Sequence, residues 1–168
     1  LENEVREIID FHLELHRNRV RPALNRSDVR FFDSFYQGIE KVDDFDRNRL
    51  KIVLSLSIDG FVPKRLTRRE VWPIYLRVDN LPKAVADNYY NSILCGVYFS
   101  FSKPSSKMLE ALFSRLESEI RSLRIEPLMI EVDGVNWVLN VEIQRGIADM
   151  GAQKALFGLP HWESPQGC

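Results

Sequence analysis

From Leu50 to Gly60 the chain alternates apolar and polar positions: Leu50, Ile52, Leu54, Leu56 and Ile58 fall on one side, while Lys51, Ser55, Ser57 and Asp59 share the other with Val53. Period two marks a half-buried strand, so LKIVLSLSIDG predicts a strand that ends on a carboxylate and turns away at Gly60. Two further strands are predicted over residues 71–78 and 93–101. Elsewhere the period is helical. Residues 2–20 place Val5, Ile8, Ile9, Leu13, His16 and Val20 on one face, open on Glu2, Glu4 and Glu7, and close on Arg17, Arg19 and Arg21 before Pro22. That charge order suits the helix dipole, and the proline stops the helix. A second helix is predicted over residues 28–41, with Val29, Phe32, Phe35, Tyr36 and Ile39 at helical spacing, giving a helical collar packed on the sheet. After Pro104, Ser106 reads as the N-cap of a long helix whose stripe is Met108, Leu109, Leu112, Phe113, Leu116, Ile120 and Leu123.

Beyond that helix, Asp133 and Gly134 sit between two apolar runs, a hairpin signal, and the second run continues to Asp149 and a short helix over residues 151–158. Three successive strands, a crossover helix and a returning strand predict an α/β fold with a mixed sheet of the RNase H-like kind. A right-handed crossover sets the last strand parallel to the first, which brings Asp149 next to Asp59. Domain organisation follows: a helical extension over residues 1–45 and the sheet-bearing core over 46–168.

A chain of 168 residues with 45% hydrophobic content is large enough for one well-filled core. Its 23 basic and 24 acidic residues nearly cancel, so nucleic-acid binding has to come from a local patch. PKRLTRRE supplies one: Lys64, Arg65, Arg68 and Arg69 join the first two strands at the end where Asp59 lies. Side chains of this kind give sequence-independent, salt-sensitive contacts to phosphates, the alternative being an ordinary solvated loop. Cys95 and Cys168 do not form a disulfide framework, and a reducing compartment is expected. There is no stretch long and apolar enough for a membrane span, and LENEVREII lacks a signal-peptide layout. Lacking an initiator Met, the chain is expected to be part of a longer protein.

A carboxylate at the end of a core strand is held rigidly and is placed to ligate a metal ion. Asp59 is therefore a candidate ligand, against the alternative of an aspartate that merely ends a strand. Asp149 is the second, and its alternative is a helix N-cap. His12 and His16, four apart on one helical face, have a spacing that can bind zinc, but both lie near the apolar stripe, where packing is the expected role. Phe31, Phe32, Phe35 and Tyr36 could stack bases, but their helical spacing points to burial in a core or interface, and Cys95 is expected to be a buried strand residue.

Four stretches in order, SIDGF (residues 57–61), VWPI (71–74), CGVYFSFSKP (95–104) and IADMGAQKALFGLPHW ending at Trp162, with GC at the end, resemble the catalytic domain of DDE transposases of the CACTA (En/Spm) type and their animal relatives. The resemblance covers the chain from Leu50 onward. It implies that Asp59 and Asp149 are the first two catalytic, metal-ligating carboxylates, serving two Mg²⁺ or Mn²⁺ ions in metal-assisted phosphoryl transfer. It implies that the third acidic residue lies past this segment, because Glu131, Asp133 and Glu142 do not match its position. It makes Cys168 the first of a cysteine pair, a Zn²⁺ ligand in a site incomplete here. Two functional classes stand: a domesticated, transposase-derived module of a nuclear protein, binding chromatin, DNA or a protein (including a second copy through the N-terminal helices) and inactive by itself, or a catalytic core segment of a metal-dependent DNA transposase or nuclease.

Overall fold

A computed structural model describes residues 2–18, 24, 26–39, 48–63, 69–148 and 152–154. Its elements are α1 (Glu2–Asn18), a 3-10 turn at Val29–Phe31, α2 (Asp33–Ile39), β1 (Arg49–Ile58), β2 (Glu70–Val78), α3 (Lys83–Ala86), a 3-10 turn at Tyr89–Asn91, β3 (Ser92–Ser100), α4 (Ser106–Ile125), β4 (Leu128–Val132) and β5 (Val135–Ala148). The strands form one sheet in the order β3-β2-β1-β5-β4. Neighbours are antiparallel except β1 and β5, which are parallel from Arg49 opposite Val138 to Ile58 opposite Ala148. The expected α/β class with a mixed sheet is present, and the returning strand lies parallel beside the first. At the β4–β5 turn, Asp133 and Gly134 have φ of 53° and 75°, so both central residues take the left-handed conformation that a tight primed hairpin turn requires.

The alternation along β1 sorts its side chains to two covered faces. Leu50, Ile52 and Leu54 join Leu76, Trp137, Leu139 and Val141 beneath α1, whose Val5, Ile8 and Ile9 complete this core. On the opposite face Val53 packs against Phe35, Tyr36 and Ile39 of α2. Farther along the α4 face, Ile58, Trp72, Ile74 and Leu109 form a second cluster with Ala152. Val5, Ile8 and Ile9 of the α1 stripe are thus packed internally, with Leu13 against them; the side chains of His16 and Val20, which complete the predicted stripe, lie outside the described residues. Helix α4 lies on this face more openly than its stripe suggests: only Leu109 is buried, and Met108 is 48% exposed.

Three local details depart from expectation. The helix predicted over 28–41 is broken, because Asp28 caps a separate 3-10 turn through Arg30 N (2.9 Å) and Phe32 is extended (φ −88°, ψ 140°) before α2 starts. Arg30 grips the same carboxylate with Nε at 3.1 Å and an Nη at 2.8 Å. Burial pushes the Asp28 carboxyl up, but the hydrogen bonds and charge of Arg30 outweigh it and hold the group below its ordinary value. The cap of α4 is Ser105, one residue before the predicted Ser106, its Oγ accepting from Met108 N at 3.4 Å. Finally, the 3-10 turn and the four residues of α3 between β2 and β3 were not anticipated, since elements this short span no full period.

Candidate functional site

β1 and β5 run out at the same end of the sheet, with Ile58 opposite Ala148. Asp59 is the first residue past β1 and is exposed there. What fixes the chain at this point is Trp72. A Cβ built on Gly60 would stand 2.3–2.7 Å from the indole, so the backbone lies hard against the ring and admits only glycine. The indole is 3% exposed, and its Nε1–H donates to Glu70 at 2.9 Å. Immediately beyond, Phe61 and Val71 exchange backbone hydrogen bonds of 3.0 and 2.9 Å, holding the start of the connecting loop to the start of β2. Asp59 is therefore presented by a strand end clamped on both sides.

Of the other predicted site residues, Asp149, Lys64, Arg65, Arg68 and Cys168 lie outside the described residues. Arg69 is described: it is exposed directly before β2, at the Asp59 end, with its guanidinium 5.4 Å from the Phe99 ring and 4.9 Å from the Phe101 ring. The remaining carboxylates are elsewhere. Glu142 lies opposite Val53 in mid-strand and is paired to Lys51, while Asp133 is at the far end of β5, bonded to Arg6 of α1 at 2.9 Å. Glu131 is on β4 opposite Asn136, also at the far end. Among the described residues no three His, Cys, Asp or Glu side chains gather to hold a metal ion. Beside the Asp59 end, between α4 and the last turns of β1 and β5, is a cavity of about 770 Å³ walled by Ile58, Leu109, Phe113, Ala148 and Gln153, with Arg121 and Glu117 also lining it.

A polar cluster that the sequence reading missed lies inside the fold. β2 pairs with β1 only from Leu54 to Ile58, and among the described residues no strand lies on that side of the first half of β1. Asn80 substitutes for one. Its Oδ1 accepts from Val53 N at 2.7 Å and its Nδ2 donates to Lys51 O at 3.0 Å, while Asp79 N donates to Val53 O at 2.9 Å. Asn80 Nδ2 also lies 2.9 Å from His12 Nε2, which makes that ring nitrogen the acceptor. His12 is fully buried, so its role is packing and hydrogen bonding, as expected. Asp79, likewise fully buried, accepts from Ser55 Oγ at 2.5 Å and Arg77 Nε at 3.1 Å, with Arg145 Nε 3.6 Å away. A carboxylate so enclosed and so matched by cations is a structural group.

Two aromatic expectations divide: Phe35 and Tyr36 are buried, whereas Phe31 and Phe32 are 43% and 48% exposed. Cys95 is exposed rather than buried, because β3 is the edge of the sheet and the residue sits at a bulge between Gly96 and Leu94. Partial burial, and then the Glu119 carboxylate, push its thiol up, away from a reactive thiolate.

The family model described as "Protein of unknown function (DUF1258)" matches residues 3–168. No curated protein matches the chain.

Proposed function

The chain belongs to the DUF1258 family, and we propose that it is a transposase-derived, RNase H-like domain that binds DNA and a divalent cation at the shared end of β1 and β5. The observation that carries this reading is the parallel register that ends with Ile58 opposite Ala148. In that register the residues next in sequence, Asp59 and Asp149, follow neighbouring strand ends. Two carboxylates brought together repel each other, and a divalent cation relieves the repulsion. Mg²⁺ or Mn²⁺ suits oxygen ligands of this type and would supply Lewis-acid stabilisation to a phosphate. The exposed Arg69 at the same end, with Lys64, Arg65 and Arg68 beside it in sequence, supports phosphate contact.

We read the domain as an interaction module that is inactive alone. Two aspartates leave at least one of two ions held mainly by water, and Glu142, the nearest substitute along β5, is committed to Lys51 several rungs from the strand end. A role on chromosomal DNA would place the protein in the nucleus. A Zn²⁺ site including Cys168 would need ligands from elsewhere. The second reading, an active transposase or nuclease core, rests on the same Asp59 at its clamped strand end.

One plasmid experiment separates them. With supercoiled plasmid and Mn²⁺ at low salt, the chain is expected to retard the DNA without nicking it, and a variant with Lys64, Arg65, Arg68 and Arg69 all changed to alanine to lose retardation with a flatter salt slope. Equal retardation by both proteins contradicts the DNA contact. Nicking that disappears in Asp59→Asn establishes the catalytic reading in place of the module.

A further inference from the structure

Strand β3 is an edge of the sheet, and from Tyr89 to Ser102 the sequence YYNSILCGVYFSFS holds no charged residue. Edge strands ordinarily carry lysines, prolines or inward charges that prevent pairing with another chain. This one instead exposes large apolar side chains: Tyr89 at 78%, Tyr90 at 89% and Phe101 at 71%, with Ile93, Val97 and Phe99 each about half exposed. Aromatic enrichment with charge depletion is the composition of an interface centre.

We propose that β3 is a homodimer interface, in which two copies pair their β3 edges antiparallel about a two-fold axis at Gly96 and extend the sheet across both molecules. The strand is complementary to itself in that arrangement. Cys95 is the extra residue of the bulge, since Gly96 lies opposite Ile74 and Leu94 opposite Tyr75. With the bulge counted as one position, Val97 of one copy comes opposite Leu94 of the other, and Tyr98 opposite Ile93, while Phe101 and the Tyr89–Asn91 turn lie just past the two strand ends. Each such pair shares a sheet face, so apolar side chains meet across the seam on both faces, and the exposed aromatics beyond the strand ends flank the paired stretch. The ends also differ in charge in a matching way: the tyrosine pair at one end meets the cationic end carrying Arg69 and Lys103. Four aromatic side chains of roughly 150–250 Å² each, all more than half exposed, together with the aliphatics, reach the order of the ~800 Å² per partner that a standard stable interface covers. No charge on the strand selects an unlike, charged partner.

The test is light scattering and sedimentation of the full chain at tens of micromolar, with circular dichroism to verify the fold of each variant. The expected wild-type mass is twice 19.6 kDa. Val97→Lys and, separately, Leu94→Lys should raise the dimer dissociation constant about tenfold or more, because each buries an unpaired charge at the seam. Both positions are half exposed in the single chain, so neither change should unfold it. The double variant Val97→Lys with Leu94→Glu should recover the dimer, the new charges lying opposite across the seam. A monomeric wild type overturns the proposal and leaves the edge to a strand of an unlike protein. A dimer indifferent to both lysine variants places the interface elsewhere and overturns it as well, and a double variant that stays monomeric overturns the pairing about Gly96.

Discussion

Asn80→Ala is expected to destabilise the fold by about 3 kcal/mol, seen as a lower urea midpoint at unchanged slope. The change removes the partner of Val53 N–H in mid-sheet and takes one partner each from Lys51 O and His12 Nε2. All of this happens at a residue with no exposure, where water cannot make good the loss. Each orphaned buried group costs roughly 1–3 kcal/mol, and groups sharing one network lose less than the sum of their separate costs. The side chain here takes the place of a strand, so its loss removes the tie to His12 of α1 and one side of the bonding of β1 at Lys51 and Val53, while the β5 side stays paired. A loss below about 1 kcal/mol would mean the backbone of β1 is satisfied without Asn80.

The second large effect is expected at Gly60. Alanine there forces its methyl into the Trp72 ring at 2.3 Å, and the ring is flanked by Ile58, Ile74 and Leu109. Either the indole leaves that cluster or the chain after Asp59 lifts away from the sheet. Overpacking of this kind costs roughly 1–3 kcal/mol, and displacement of Asp59 should weaken any cation affinity at the strand end beyond what the stability loss explains. Gly146→Ala is the control, since a Cβ on Gly146 meets nothing within 4 Å. Thermal unfolding of the two variants should differ clearly, Gly146→Ala remaining close to the parent. Equal melting temperatures would show that Trp72 does not hold this corner.

Much of the architecture is legible in the sequence because the strands alternate and the long helices have full periods. The parallel return of β5 beside β1 followed from the crossover argument, and Asp133-Gly134 from turn chemistry. Asp59 was identifiable as a strand-end carboxylate, but the agent that fixes it was not: Trp72 reads as another core aromatic, and its stacking on Gly60 depends on how β1 and β2 are paired. Asn80 and Asp79 were invisible for a related reason. In sequence they look like turn residues, and their burial arises only because β1 is longer than the stretch β2 covers, so that a side chain must bond backbone 27 residues away. Periodicity also cannot say which strand is outermost, which is why Cys95 was misplaced and the apolar edge of β3 went unseen.

Asp59 and Asp149 are expected to form one divalent-cation site. Titration calorimetry of Mn²⁺ into the chain, repeated with Asp59→Asn and with Asp149→Asn, tests it most directly. The expected result is saturable uptake by the wild type, a matching rise in melting temperature, and loss of both in each single variant. No uptake by the wild type, or uptake that either variant leaves unchanged, would contradict it.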